Sequence, residues 1–110
     1  LPFFLDTIDK AGLNDIVIPI VSSSVKASEV WSKPLAMVFI DGGHSETAAN
    51  DDYDVWHPHI IKGGLLAIHD VFPNPEDGGR PPFDIYTKAK ESGLFKEVDM
   101  INSLALLEKI

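Results

Sequence analysis

The sequence MVFIDGGHSETAANDDYDVW, residues 37–56, gives the clearest indication of the fold. It begins as an apolar strand, turns at residues 41–44 and continues with polar residues at helical spacing. A second stretch, GGLLAIHDVF at residues 63–72, also ends an apolar run on a His and an Asp, His69 and Asp70. Continuous apolar strands of this kind are typical of a parallel sheet that is buried on both faces.

The composition indicates one globular domain over residues 1–110, since 45% of the residues are hydrophobic and 24% are charged. No apolar run is long enough to cross a bilayer and no signal peptide is recognisable, so we expect no membrane partner. The absence of cysteine excludes disulfides, thiolate metal sites and cysteine nucleophiles, and it fits a cytoplasmic location.

The charge balance disfavours a nucleic-acid partner. The formal net charge is −8, and the nine basic residues are spread along the chain without a cluster. A phosphate backbone would be repelled over most of such a surface. We therefore expect a small-molecule substrate and no nucleic acid.

The pattern along the chain predicts alternating helices and strands, which end in an antiparallel hairpin. Right-handed crossovers would make the early strands parallel, with helices on both faces of the sheet. The predicted fold class is thus α/β, a Rossmann-like three-layer α/β/α arrangement with a mostly parallel sheet. Helices are predicted at about residues 2–11, 25–31, 45–60 and 83–92, and strands at 15–21, 35–41, 65–70, 95–101 and 103–110.

Two polar clusters are expected to meet at one rim of this sheet. Ligands of open parallel sheets bind beyond the carboxyl ends of the strands, where Asp41 and Asp70 would face the same crevice. A carboxylate there could orient a His as general base, or Asp41, His69 and Asp70 could hold a divalent cation. The competing interpretation is structural, with Asp41 closing a turn and His69 a partly buried histidine.

These motifs resemble the carboxyl-terminal part of class I S-adenosylmethionine-dependent methyltransferases, closest to the small-molecule O-methyltransferase branch. LAMVFIDGGHS, a helix, HPHIIKGGLLAIHDVF and the final hairpin carry the resemblance, which covers about residues 15–110. It implies transfer of a methyl group from the sulfonium of S-adenosylmethionine to a small molecule, at an oxygen acceptor. It also implies that the Pro- and Gly-rich segment after Asp70 covers the acceptor.

The resemblance also implies roles for individual residues in binding the cofactor. Asp41, Gly42 and Gly43 would flank the methionine end of S-adenosylmethionine. Ser23 would lie near the adenine, where the family often has an acidic residue.

Further implied roles concern catalysis and metal binding. Asp41, His69 and Asp70 match positions that bind a divalent metal, such as Mg²⁺, in metal-dependent members. His44 matches the turn histidine and, with Asp41 and Asp70, is a candidate catalytic residue.

The chain departs from the family in lacking any G-x-G turn for the cofactor. The two central strands of the family sheet are also missing, so we expect a fragment or a truncated relative with a missing N-terminal segment. Residues 15–21 should then pair directly with residues 35–41, or two chains should associate as a homodimer across the gap. We expect the chain alone to be inactive. The alternatives are a non-catalytic methyltransferase-like domain for association or ligand binding and, less favoured, a metal-dependent hydrolase.

Overall fold

The computed structural model describes residues 2–41 and 45–110. It contains four α-helices, four strands and two short 3-10 turns within those ranges. In chain order the elements are α1 Pro2–Lys10, α2 Ser24–Glu29, β1 Leu35–Ile40, α3 Glu46–Trp56, the turn His57–His59, β2 Ile60–Ile68, the turn Pro75–Asp77, α4 Arg80–Glu91, β3 Phe95–Ile101 and β4 Leu104–Lys109.

The four strands form one sheet in the order β1-β2-β4-β3. β1 and β2 are parallel, and their register places Ile40 opposite Ile68. β2 pairs with β4, and β4 with β3, in antiparallel fashion, with Asn102 and Ser103 turning the final hairpin. The predicted mixed α/β, partial Rossmann-like fold with a terminal hairpin is confirmed, although only one of the strand pairings is parallel.

The sheet has fewer parallel pairings than predicted because residues 15–21 do not form a strand. The prediction of a strand there is wrong. Asp15 and Ile16 continue the turn after α1, and the amides of Ile16 and Val17 donate to the carbonyl oxygen of Leu13 at 2.9 and 2.8 Å. The remaining residues lie exposed and form no ladder with any described strand. The expected pairing of this segment with β1 is therefore also wrong for the single chain.

Two helix boundaries also differ from the predictions. The predicted helix at residues 45–60 ends at Trp56, because Pro58 cannot continue the hydrogen-bond ladder, and Ile60 instead begins β2. α4 begins at Arg80, before the predicted start at residue 83, because the prolines at positions 81 and 82 are well tolerated in a first helical turn.

The core lies between one face of the sheet and the helices α3 and α4. Tyr53 of α3 and Ile85 of α4 are buried against Leu66, Ile68 and Leu107 of the central strands. α2 packs on the outside of α3.

The opposite face of β1 carries Met37 and Phe39, which are 50% and 53% exposed. The second helical layer of the predicted three-layer arrangement does not cover this strand. Within residues 2–41 and 45–110, no helix combines the length and apolar character needed to cross a membrane.

Candidate functional site

The end of β1 and the end of β2 bring three polar side chains together. The Nδ1 atom of His69 lies 3.0 Å from a carboxylate oxygen of Asp41 and 3.1 Å from one of Asp70. One potential ligand atom from each of the three residues lies within 4.8 Å of the other two. The predicted meeting of these residues at one rim is confirmed, because their parent strands are parallel neighbours.

Backbone hydrogen bonds hold this rim in place. The amide of His69 donates to the carbonyl oxygen of Ile40 at 3.1 Å, and the amide of Val71 donates to that of Ser103 at 2.8 Å. Asp70 lies between these anchors with a φ of 62°, a left-handed conformation that Asp tolerates better than most residues. Val71 is fully buried, so the chain cannot rotate freely beyond the site.

The imidazole of His69 is near both carboxylates but is not satisfied by them. The two Nδ1–oxygen distances suit hydrogen bonds, yet Nδ1 is buried and, among residues 2–41 and 45–110, makes no hydrogen bond of acceptable geometry. A hydrogen bond weakens steeply as it bends, so closeness alone does not satisfy this nitrogen. A ring nitrogen beside two carboxylate oxygens is a donor set that suits a divalent cation.

A cavity of about 420 Å³ opens beside Asp41, along the free side of β1. Its walls come from β1, α2 and α3, so it adjoins the rim instead of penetrating the core. The residues that line it are Ser24, Leu35, Val38, Phe39, Ile40, Asp41, Asp52 and Trp56. Asp52 and Trp56 were not predicted as site residues; their i, i+4 spacing on α3 is the signal in the sequence that places both on one helix face.

Ser23, another predicted site residue, has a structural role. The side chain of Ser23 caps α2 by accepting from the amide of Lys26 at 3.2 Å. Gly42, Gly43 and His44 lie outside the described residues, so their predicted roles remain predictions.

The Arg80 side chain, at the end of the segment between β2 and α4, is held by neighbouring residues. Its guanidinium donates to the carbonyl oxygen of Phe72 at 2.7 Å and lies 4.3 Å from the centre of the Phe83 ring. It therefore ties residues 72–80 together.

His57 is half-buried and lies away from the rim. Its ring stacks on Tyr53 with a centroid distance of 4.6 Å, and its Nδ1 atom is buried without a hydrogen-bond partner among the residues that the structure describes. Burial lowers the pKa of His57 below 6.5, and the positive charge of Lys109 acts in the same direction. This perturbation is structural, because it arises from core packing and not from the acidic cluster.

Two comparisons place the chain among known proteins. The model of a family described as a methyltransferase domain matches residues 2–71. A crystal structure of a Clostridium thermocellum protein, provisionally described as an rRNA methylase, is similar with a TM-score of 0.62 and 19% sequence identity. That alignment covers 96% of this chain and 67% of the other.

The family match extends over more than half of the chain and includes the ends of β1 and β2. The solved structure agrees in fold over nearly the whole chain. The chain therefore belongs to the methyltransferase domain family, in its class I, S-adenosylmethionine-dependent form.

Proposed function

We propose that this chain supplies the acceptor side of a methyltransferase active site and orients a small-molecule hydroxyl for methylation. The observation that carries the proposal is the convergence of Asp41, His69 and Asp70 at the carboxyl ends of two parallel strands. Open α/β sheets bind their ligands at this edge. The neighbouring cavity of about 420 Å³ has room for a small acceptor.

The donor set of the cluster fits a divalent metal such as Mg²⁺. Asp41, Asp70 and His69 each offer one ligand atom, and within the described part of the chain the Nδ1 atom of His69 has no competing hydrogen bond. A bound cation would act as a Lewis acid that favours ionisation of a coordinated hydroxyl. We propose that these three residues hold it.

The carboxylates also offer a route for the acceptor proton. Each has two oxygens, and one oxygen of each is enough to form the cluster. We propose that a remaining oxygen of Asp41 or Asp70 accepts the proton of the hydroxyl. His44 stays a further candidate catalytic residue from sequence.

The residues present do not form a complete donor site. S-adenosylmethionine, when bound to a methyltransferase, supplies an electrophilic methyl group on a sulfonium sulfur. A nucleotide cofactor of this fold class commonly rests on a Gly-rich turn after a strand, and the sequence contains no G-x-G. We therefore propose that the isolated chain binds S-adenosylmethionine weakly and is inactive.

The charge of the chain favours a small molecule over RNA. A net charge of −8 opposes a phosphate backbone, and the proposed site is itself acidic. The description of the structural neighbour keeps RNA as the second candidate acceptor.

The cytoplasmic location and the single domain over residues 1–110 stay predictions.

Calorimetric titration of catechol, a small probe with two adjacent hydroxyls, tests the acceptor site. We expect catechol to bind only when Mg²⁺ is present, and Asp70→Asn to weaken binding by roughly tenfold or more. Asp51→Asn, on an exposed part of α3, is the matched control and should leave binding unchanged. Catechol binding that needs neither Mg²⁺ nor Asp70 would overturn the proposed acceptor site.

Two further titrations test the remaining parts of the proposal. Micromolar binding of S-adenosylmethionine by the chain alone would contradict the incomplete donor site. Tight binding of a short ribosomal RNA hairpin at physiological salt, with no catechol binding, would show that the acceptor is RNA and not a small molecule.

A further inference from the structure

The segment between β2 and α4 is closed by the one arginine of the sequence, Arg80. Its guanidinium donates to the carbonyl oxygen of Phe72 at 2.7 Å and, more weakly, to that of Pro73 at 3.4 Å. The same group lies over the Phe83 ring, 4.3 Å from its centre. One side chain therefore holds the two ends of the loop 72–80 together.

The Phe72 ring gives this loop a second internal contact. It packs directly on Gly78, where an added Cβ atom would overlap the ring. The overlap extends to Cγ of the ring, at 3.0 Å, so turning the ring about its own axis does not relieve it. Gly78 has an extended backbone with a φ of 177°, so the ring, and not the backbone, excludes a side chain there.

Phe72 lies two residues after Asp70, the carboxylate of the cluster that has an unusual backbone conformation. Asp70 has a φ of 62°, and such a conformation persists only where the surrounding structure fixes it. On the sheet side, buried Val71 donates its amide to the carbonyl oxygen of Ser103 at 2.8 Å. On the loop side, the next fixed point along the chain is Phe72.

We propose that Arg80 and Gly78 are positioning residues for Asp70. They fix Phe72, so residues 70–72 are held at both ends and the Asp70 carboxylate stays beside the Nδ1 atom of His69. Both residues act through the backbone of this short stretch. The inference rests on the proposed function, in which Asp70 holds a divalent cation.

An arginine suits this role better than a lysine. Its planar guanidinium presents N–H donors in a fixed fork, which reaches two successive carbonyl oxygens while its face rests on an aromatic ring. A lysine ammonium is a point charge on a flexible stem and does not fix two acceptors in this way. Arg80→Lys should therefore behave like Arg80→Met, although it keeps the positive charge.

Hydrogen exchange of the Val71 amide tests the proposal without any metal. We expect Arg80→Met and Gly78→Ala each to speed this exchange by about tenfold or more, because loss of the contacts to Phe72 favours local opening. Amides of the central strand β4 should keep their rates. An unchanged Val71 rate in both variants would overturn the proposal, and so would an equal acceleration in β4, which would indicate general destabilisation.

The chain offers a matched control for each variant. Lys88→Met removes a cation from the same helix as Arg80, where it pairs with Asp54 on the surface. Gly79→Ala adds a methyl group next to Gly78, and the nearest atom to its Cβ lies at an ordinary 3.7 Å. Both controls should exchange the Val71 amide as the natural chain does.

Calorimetric titration of Mg²⁺ tests the consequence for the site. Arg80→Met, Arg80→Lys and Gly78→Ala should each weaken Mg²⁺ binding by roughly tenfold, whereas Gly79→Ala should not. A natural chain that binds no Mg²⁺ would refute the proposed function, and the Val71 exchange rates would still decide whether Arg80 and Gly78 hold the segment. Equal Mg²⁺ affinities of the natural chain and Arg80→Met would overturn the positioning role and leave the proposed function standing.

Discussion

His69 and Asp41 follow two different strands, yet the Nδ1 atom of the first lies 3.0 Å from a carboxylate oxygen of the second. The parallel register that sets Ile40 opposite Ile68 brings the residue after each strand to the same height. Asp70 adds a second carboxylate at 3.1 Å. A chain of net charge −8 thus concentrates acidic oxygens around one ring nitrogen at the edge where this fold class binds ligands.

The first prediction is that divalent cations stabilise the fold through this cluster. A ligand that binds only the folded state at about one hundred times its Kd adds about 2.7 kcal/mol to the free energy of unfolding. We expect Mg²⁺, Mn²⁺ or Zn²⁺ to raise the Tm of the natural chain, measured by differential scanning fluorimetry. Asp41→Asn and His69→Gln should remove the increase and Asp51→Asn should keep it; an equal increase in all of them would refute the site.

The second prediction concerns the pH dependence that His57 causes. Burial lowers its pKa below 6.5, so the folded state prefers the neutral ring while the unfolded state takes up a proton near 6.5. The contribution of this residue to stability is complete above pH 6.5. It is lost as the pH falls from there toward the pKa of the folded state.

The variant His57→Phe tests this, because it keeps an aromatic ring against Tyr53 and cannot titrate. Urea unfolding above and below pH 6.5 should show a smaller acid loss of stability in His57→Phe than in the natural chain. His59→Phe, on the same turn, is the control and should follow the natural chain. Parallel pH profiles for the natural chain and His57→Phe would contradict the prediction.

The third prediction concerns the two tyrosines of the chain. Burial raises the pKa of Tyr53, and burial together with the hydrogen bond to Glu97 raises the pKa of Tyr86. Phenolate absorbance of the folded chain should therefore rise at a pH above 10.0. Because the unfolded tyrosines ionise first, stability should fall as the pH rises through 10.0 toward the pKa values of the folded state.

Tyr86→Phe separates the two groups. It removes one of the two phenols and the hydrogen bond between α4 and β3, at a cost of about 1 kcal/mol in the free energy of unfolding. The remaining absorbance change should belong to Tyr53 and stay above pH 10.0. A single transition at the ordinary tyrosine value in the folded protein would show that neither ring is shielded from water.

The fourth prediction is that Gly64→Ala destabilises the parallel strand pair. A Cβ atom at Gly64 would lie 2.9 Å from the carbonyl oxygen of Ile61 and 3.0 Å from that of Ala36. These are backbone atoms of β2 and β1, so relief requires the strands to shift. We expect a loss of about 1–3 kcal/mol in the free energy of unfolding, measured by urea titration.

Gly93→Asn provides the comparison for that loss. Gly93 has a φ of +79°, and a Cβ atom there would meet nothing within 4 Å. Asn tolerates this left-handed conformation, so the cost should stay within about 1 kcal/mol. A Gly64→Ala variant as stable as Gly93→Asn would show that the strands accommodate the methyl group without strain.

Local signals in the sequence were enough to predict much of this chain. The apolar run at residues 35–41, the start of a helix near residue 45 and the two-residue turn of the final hairpin each depend on neighbours along the chain. Parallel pairing of the strands before Asp41 and Asp70 followed from the general handedness of α/β connections. The juxtaposition at the rim was therefore predictable, whereas its use for methyl transfer was implied only by the resemblance.

Only the tertiary structure decided the fate of residues 15–21 and of His57. VIPIV has the residues of a strand, but a strand needs a partner, and the turn after α1 leaves it unpaired in the single chain. His57 looks like a surface residue at a helix end until Tyr53 and Phe95 pack on its ring. Apolar segments and turns could be predicted from the sequence because those properties are local. Which edges and rings are covered follows only from the folded chain, because burial depends on residues far away in the chain.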